Sequence, residues 1–270
     1  MRSKLILQSI LPPLLWNVGK DLKRRLLRSV DHFAYAPEGW STRLPASATS
    51  EDYWNSFIAR DRSACEALMA RVQARDPMVT PDGDVKEVLF GYVLALAAVD
   101  KQKLTVLDYG GNLGDYYWLG TALVPDVDLE YHCKELPQVA EAGRRLTPAV
   151  TWHTDDGCLA QRHDLVMFSS SLQYLPGWQD ILRRAAQSAR GYLFLSDVPT
   201  VCDVPSYVVT QRSGGMTNLQ YQLNRSEIVD TVERAGLRLI REFAMGAHPP
   251  VANAPEQPTC RGWLFQCDCP

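Results

Sequence analysis

From about residue 100 onward, short continuous apolar runs alternate with stretches in which apolar residues recur at helical spacing. The apolar runs predict buried strands near 104–109, 128–134, 149–153, 164–169 and 191–196. The helical spacing predicts helices between them, near 115–123, 137–147 and 178–189. Regular alternation of strand and helix is typical of a parallel sheet with helices on both faces. The sequence therefore predicts a doubly wound α/β fold.

Two helices with no strand between them are predicted ahead of this alternation. Apolar residues at helical spacing indicate one helix from Glu51 to about 76 and another from about 84 to 99. The preceding segment 31–50 is rich in Pro, Ser and Thr, which predicts an irregular connector. We therefore divide the chain into 1–83, a basic segment with a helical cap, and 84–270, the α/β domain.

The pattern changes again after residue 198. The segment 203–224 carries Pro205, Gly214 and Gly215 among amide and tyrosine side chains. This composition predicts an irregular segment that covers an acceptor site as a lid. A helix near 226–235 then precedes two apolar runs, near 237–244 and 261–267, that are separated by a proline-rich loop. These two runs are predicted to pair antiparallel.

A glycine-dense turn follows the first predicted strand, which Asp108 ends. Three glycines let the backbone of this turn pass close to a ligand because they lack a Cβ: Gly110, Gly111 and Gly114. The dinucleotide fingerprint G-x-G-x-x-G fails, since Asn112 and Asp115 occupy its second and third glycine positions. A carboxylate at Asp108 repels phosphate but suits a ligand with an amino group and a sulfonium, such as S-adenosylmethionine (SAM). A nicotinamide-dependent oxidoreductase is therefore disfavoured.

Three elements in this order resemble a known family. They are the Asp-x-Gly-Gly-x-x-Gly turn, the acid Glu135 after the second strand, and the run Ser169-Ser170-Ser171-Leu172-Gln173-Tyr174-Leu175 after a later strand. Together they resemble a class I SAM-dependent methyltransferase, and more narrowly bacterial methyltransferases encoded among polysaccharide-biosynthesis genes. Asn112 stands where the commoner residue of that turn is glycine. The resemblance implies a Rossmann-like seven-stranded sheet with its last strand antiparallel, SAM as cofactor, and a glycan precursor or other small metabolite as acceptor.

The expected cofactor residues lie at the carboxyl ends of strands, where open α/β sheets bind ligands. Asp108 is expected to order the turn and hold the SAM amino group, with simple capping of the turn as the alternative. Glu135 is expected to accept from the ribose hydroxyls, unless it only complements the next helix N-terminus. Either Asp155 or Asp156 is a candidate for the adenine amino group, and a solvated turn is the alternative for both. The full set of cofactor candidates is Asp108, Gly110, Gly111, Asn112, Gly114, Glu135, Asp155, Asp156, Ser169 and Ser170.

Methyl transfer to oxygen needs little covalent help, but a general base assists when the nucleophile is a hydroxyl. Three residues near the expected site are candidates for that base. Tyr174 and Asp197 follow the fourth and fifth strands of the alternation, and His248 lies in the loop after the sixth. No sequence signature distinguishes them.

Net charge and cysteine content limit the classes of binding partner and cofactor that the sequence predicts. A net charge of −3 gives no reason to expect nucleic acid. Residues 1–30 carry seven Lys and Arg against Asp21, a net +6, so the rest of the chain carries −9. Seven scattered cysteines form no pair of C-x-x-C motifs, which predicts reduced thiols in a cytoplasmic protein and no metal site. A disulfide or a metal site in the C-terminal cluster of Cys260, Cys267 and Cys269 is the alternative.

The basic N-terminal segment leaves a second function open. Its apolar part, Leu5 to Trp16, is too short to span a bilayer and contains two prolines. Residues 14–30 fit a basic amphipathic helix lying on the inner membrane face, with a helix that packs on the domain or a frayed terminus as the alternative. The alternative to an enzyme is therefore a non-catalytic methyltransferase-like scaffold at a membrane surface.

Overall fold

The computed structural model describes residues 32–40, 51–75, 85–213 and 216–267. Its α-helices are α1 Glu51–Gln73, α2 Val85–Ala98, α3 Asp115–Leu123, α4 Pro137–Leu146, α5 Trp178–Ser188 and α6 Arg225–Arg234. Its strands are β1 His32–Tyr35, β2 Lys103–Tyr109, β3 Asp128–Lys134, β4 Thr151–His153, β5 His163–Ser169, β6 Ala189–Val201, β7 Tyr207–Ser213, β8 Met216–Asn224, β9 Leu237–Ala247, β10 Val251–Ala252 and β11 Thr259–Cys267.

Seven strands form the predicted doubly wound sheet, in the order β4-β3-β2-β5-β6-β11-β9. The strands β2 to β6 pair in parallel, whereas β11 runs antiparallel to both β6 and β9. This confirms the predicted α/β class and the antiparallel last strand.

The continuous apolar run of β5 explains its central place. Leu165 and Met167 pack into one core cluster, and Val166 and Phe168 pack into another. All four are fully buried, because helices cover both faces of the sheet. The sheet is therefore packed between two hydrophobic layers, and the ends of its strands are where polar residues can form a site.

A smaller group of strands extends the sheet beside β6. The hairpin of β7 and β8 pairs through β8 with Thr200 and Val201 of β6, and β1 and β10 continue outward in the order β10-β1-β7-β8. The predicted irregular backbone is therefore wrong for residues 32–35 of the connector and for most of the segment 203–224. That 203–224 covers an acceptor as a lid stays a prediction. Both segments bury β-prone side chains, Phe33 and Val209 among them, against partners that are distant in sequence.

Residues 1–31, with the predicted basic helix and its membrane contact, lie outside the described residues. Within the described ranges, none of the helices combines the length and the apolar character needed to cross a membrane. The division of the chain at residue 84 stays a prediction.

Candidate functional site

The site is built at one edge of the sheet. Because β2, β3, β4, β5 and β6 are parallel, their carboxyl ends meet there. Asp108 is the penultimate residue of β2, Glu135 directly follows β3, and Ser169 ends β5. Polar side chains that are far apart in sequence are thereby brought to a common edge.

The glycine turn between β2 and α3 has an unusual backbone. Gly110, Asn112 and Gly114 have φ values of 83°, 53° and 85°, in the left-handed region that favours glycine. The Gly110 N–H donates to the carbonyl of Lys134 at 2.8 Å, which fixes the turn on β3. A Cβ at position 111 would collide with the Asp108 carboxylate, so only glycine fits there.

Asp108 is a buried acid with few partners. The Tyr131 hydroxyl donates to its Oδ2 at 2.9 Å, while Oδ1 is buried with no hydrogen-bond partner among the described residues. The pKa of Asp108 is raised to about 7: burial is the largest cause, the Tyr131 hydrogen bond opposes it, and the charges of Glu135 and Asp115 add to the rise. The carboxyl group therefore needs a donor or a positive charge that the described residues do not provide.

Two more unpartnered oxygens lie around the same turn. Asn112 Oδ1 and Asp115 Oδ1 are buried without a hydrogen-bond partner in the described part of the chain. Burial raises the pKa of Asp115, a Cys65 hydrogen bond lowers it, and the charge of Asp61 raises it again. All three unpartnered atoms, including Asp108 Oδ1, accept hydrogen bonds, so the missing partners are donors.

Glu135 is bonded to the backbone of the same glycine turn. Its Oε1 accepts from the Asn112 N–H at 3.1 Å, and its Oε2 accepts from the Leu136 N–H at 2.7 Å. Burial raises the pKa of Glu135, and these two backbone donors oppose the shift. A carboxylate has about four lone-pair positions, so Glu135 keeps capacity for two further donors.

The two candidate acids after β4 have different surroundings. Asp155 caps the short 3-10 turn Asp156–Ala160 by accepting from the Gly157 N–H at 2.8 Å, and it is exposed. Asp156 accepts from the Tyr109 hydroxyl and lies 3.8 Å from both the Lys134 and the Arg184 nitrogens. Asp156 is therefore held in a structural network, and Asp155 is the freer of the two.

Ser170 and Asp197 form a pair where β5 ends beside β6. Ser170 directly follows β5, whereas β6 continues to Val201, so the prediction that Asp197 follows its strand is wrong and the residue lies within β6. Ser170 Oγ donates to Asp197 Oδ2 at 2.6 Å, and Lys86 Nζ lies 3.5 Å from the same oxygen. Both Ser170 and Asp197 have left-handed backbone, with φ values of 54° and 55°. Such conformations cost about 1–3 kcal/mol each and concentrate at functional sites. Ser169 is nearby in sequence but instead bonds to the Tyr116 hydroxyl at 3.1 Å.

The other two base candidates are held differently. His248 Nδ1 lies 2.6 Å from the Pro249 carbonyl oxygen, and its ring packs edge-on against Phe33. Burial lowers the pKa of His248, while the Pro249 carbonyl and the charge of Asp197 raise it. Tyr174 is partly exposed and donates to Gln211 Oε1 of β7 at 2.9 Å. His248 is thus bonded to its neighbouring backbone, whereas the Tyr174 hydroxyl is bonded to Gln211 of β7.

Sequence reasoning missed three residues that shape this site. Tyr131 is the hydroxyl partner of Asp108, Lys86 is the cation beside Asp197, and Asp61 accepts from the Asn112 side chain at 2.9 Å. Asp61 had a usable signal, because it is an acid on the otherwise apolar face of α1. Tyr131 and Lys86 had none, since their partners come from other elements.

Comparisons with known proteins give structural likeness only. No family model matches the sequence, and no curated protein does. The 1,6-didemethyltoxoflavin-N1-methyltransferase of Burkholderia thailandensis, solved with S-adenosylhomocysteine (SAH), aligns over 89% of this chain and 97% of its own, with 14% identity and a TM-score of 0.49. The amino pentose methyltransferase CalS10 of Micromonospora echinaspora aligns over 68% and 90%, with 14% identity and a TM-score of 0.47. An O-methyltransferase family protein from Burkholderia thailandensis aligns over 79% and 62%, with 18% identity and a TM-score of 0.47.

Proposed function

We propose that this chain is a SAM-dependent methyltransferase that transfers a methyl group to a hydroxyl of a small molecule. The observation that carries the proposal is a set of buried acceptor oxygens around the glycine turn that have no hydrogen-bond partner among the described residues: Asp108 Oδ1, Asn112 Oδ1 and Asp115 Oδ1. Buried acceptors without donors cost free energy, about 1–3 kcal/mol each, unless a ligand supplies the donors.

The charge of the site selects the ligand. Asp108, Asp115 and Glu135 all have raised pKa values, burial being the largest cause for each, so a positive charge would stabilise their ionised forms. A phosphate group would be repelled by the same carboxylates. An ammonium group offers three N–H donors and a positive charge, and a sulfonium adds a second positive charge. SAM carries both.

The residues present suit the rest of SAM as well. Asp108 and Asn112 would hold its amino group, at a turn whose Gly110 and Gly111 pack closely against Ser171 and Asp108 of the protein itself. Glu135 would accept from the two ribose hydroxyls with its remaining lone pairs. Asp155 suits the adenine amino group better than Asp156, because Asp156 is already bonded to Tyr109.

The acceptor side would be organised by Asp197. SAM, when bound, supplies a methyl group already activated on a sulfonium. Asp197 would receive the proton that the acceptor hydroxyl loses, with Ser170 and Lys86 fixing its carboxylate. The strained backbone at Ser170 and Asp197 favours this assignment over His248 and Tyr174, because surrounding structure must hold such a conformation in place. The proposed acceptor is a glycan precursor, because the sequence resembles bacterial methyltransferases encoded among polysaccharide-biosynthesis genes.

Isothermal titration of the full chain with SAM, SAH and NADH tests the cofactor assignment. We expect Kd values in the micromolar range for SAM and SAH, and no binding of NADH. The variant Glu135→Gln should raise the Kd for SAM and for SAH by about tenfold, because one of the two oxygens that accept from the ribose hydroxyls becomes a donor. Glu141→Gln, a change of an exposed glutamate on α4, is the matched control and should bind as wild type does. If the folded protein binds neither SAM nor SAH, the proposal of a methyltransferase is refuted, and the non-catalytic scaffold remains as the alternative function.

The hydroxylated acceptor is tested separately. Purified protein with methyl-labelled SAM is incubated with a panel of sugar phosphates, nucleotide sugars and matched amines. Label transferred to a sugar hydroxyl, and lost in Asp197→Asn, supports oxygen as the target. Transfer to an amine alone would contradict the O-directed reaction while leaving the cofactor assignment intact.

A further inference from the structure

Helix α1 covers the glycine turn with one face. Asp61 Oδ2 accepts from Asn112 Nδ2 at 2.9 Å, and the side chain of Asp61 is mostly buried. One helical turn later, Cys65 is buried with its sulfur 3.9 Å from the Leu113 carbonyl oxygen. Residues at positions i and i+4 share a helix face, so α1 contacts the turn at two successive levels.

Asn112 is bonded on two sides of the turn. Its side-chain amide donates to Asp61, and its backbone N–H donates to Glu135 Oε1 at 3.1 Å. The residue therefore connects α1 with the carboxylate that follows β3. Its φ of 53° sets the direction in which that N–H points.

The backbone conformation alone would favour glycine at position 112. Glycine enters the left-handed region without penalty, whereas asparagine only tolerates it. The hydrogen bond from the Asn112 amide to Asp61 gives a physical reason for a side chain at this position. A charge-assisted hydrogen bond of this kind contributes more than a neutral one and offsets the cost of the conformation.

We propose that Asp61 is a cofactor-positioning residue. By fixing the Asn112 side chain, Asp61 keeps the Asn112 N–H on Glu135 and so holds the Glu135 carboxylate in the orientation that receives the ribose hydroxyls. The inference rests on the proposed function, because it needs a ribose-containing ligand at Glu135. Asp61 acts through Asn112.

Titration calorimetry of the full chain with SAM and SAH tests the role of Asp61. Asp61→Ala should raise the Kd for both ligands by about tenfold, because Asn112 loses its acceptor. Asp61→Asn should stay within about threefold of wild type, since its side-chain oxygen still accepts from Asn112. Glu66→Ala, which removes an exposed carboxylate from the same helix, is the matched control and should leave the Kd unchanged.

A double-mutant cycle with Asn112→Gly separates positioning from other effects. In the Asn112→Gly background no side chain remains for Asp61 to hold, so Asp61→Ala should change the Kd by less than about twofold. An equal loss in both backgrounds would overturn the proposal. If Asn112→Gly alone abolishes binding, the comparison of Asp61→Ala with Asp61→Asn decides, and equal losses in those two variants would overturn it.

The outcomes distinguish this inference from the proposed function. Wild-type protein that binds neither SAM nor SAH refutes both. Wild-type binding with an unchanged Kd in Asp61→Ala refutes the positioning role alone. A thermal unfolding midpoint measured without ligand shows whether Asp61→Ala is only destabilised; a lower midpoint with an unchanged Kd again refutes the positioning role.

Discussion

Two buried aspartates on paired strands have opposite surroundings. Asp164 lies at the amino end of β5 and Asp108 at the carboxyl end of β2, and both side chains are almost completely buried. Asp164 accepts from Lys101 Nζ, from the backbone and hydroxyl of Thr105, and from the Arg190 guanidinium, all within 3.0 Å. Asp108 accepts from the Tyr131 hydroxyl, and its second oxygen has no partner among the described residues.

The difference lies in the supply of donors. Burial on its own would raise the pKa of Asp164, but the donors from Arg190, Lys101 and Thr105 outweigh it and hold that pKa well below its usual range. Burial raises the pKa of Asp108 to about 7, because the Tyr131 hydroxyl does not compensate for it. A buried acid with all its donors holds the fold together, and a buried acid that lacks them indicates a place for a ligand.

The largest expected effect is on stability, at Asp164. Asp164→Ala should lower the free energy of unfolding by about 2–4 kcal/mol, because it leaves the Thr105 N–H and two cations without their partner. The Kd for SAM should stay within about twofold of wild type. Urea unfolding and titration calorimetry measure the two quantities. Asp230→Ala, which breaks an exposed helical ion pair, is the control and should cost less than about 0.5 kcal/mol.

The next effect is on binding, at Asp108. Asp108→Asn should raise the Kd for SAM by about thirtyfold, ~2 kcal/mol of binding free energy, because an amide cannot neutralise the positive charge of the ligand. Stability without ligand should not fall, because the variant removes a buried carboxylate whose Oδ1 has no donor in the described part of the chain. A loss of several kcal/mol in unfolding with SAM affinity preserved would show that Asp108 is a structural acid like Asp164.

A pH series sharpens the same comparison. The pKa of Asp108 is about 7 in the folded chain against an ordinary value of 3.8, so between these values the folded state binds more protons than the unfolded state. The contribution of Asp108 to the free energy of unfolding therefore falls as pH rises from about 4 to about 7. Urea unfolding at pH 5, 6, 7 and 8 should show this decline in wild type relative to Asp108→Asn. SAM affinity of wild type should rise over the upper part of that range, as the ionised carboxylate becomes available.

Much of the site edge could be read from the sequence. The alternating apolar runs fix the strands β2 to β6, and the residue after each run is by geometry at the ligand-binding edge. Asp108, Glu135 and Asp197 were located in this way. The glycine turn was recognisable because left-handed backbone and close packing leave few other residues for it.

What the sequence could not show depends on contacts between distant elements. β1 is a strand because β7 and β10 pair with it, and the four residues of β1 carry too little local preference to show that. Gly214-Gly215 between two β-prone runs was a hairpin signal that the amide-rich composition obscured. The donors of Asp108 and Asp164 come from other elements, so the contrast between the two acids needs the folded chain.

The smallest expected effect comes from removing a single hydroxyl. Tyr131→Phe takes away the donor that lowers the pKa of Asp108, so that pKa should rise further and the pH-dependent decline in stability should extend to higher pH. At pH 7 we expect SAM to bind about threefold to tenfold more weakly, because a larger fraction of Asp108 is protonated and the ligand must offset that proton. Titration calorimetry at pH 7 and pH 9 separates the causes, since the deficit should shrink at pH 9 if protonation of Asp108 is its origin. Tyr192→Phe also removes a tyrosine hydroxyl, one that accepts from Gln266 Nε2, and should change neither the Kd nor its pH dependence. An equal deficit for Tyr131→Phe at both pH values would mean that Tyr131 shapes the pocket and does not act through the charge of Asp108.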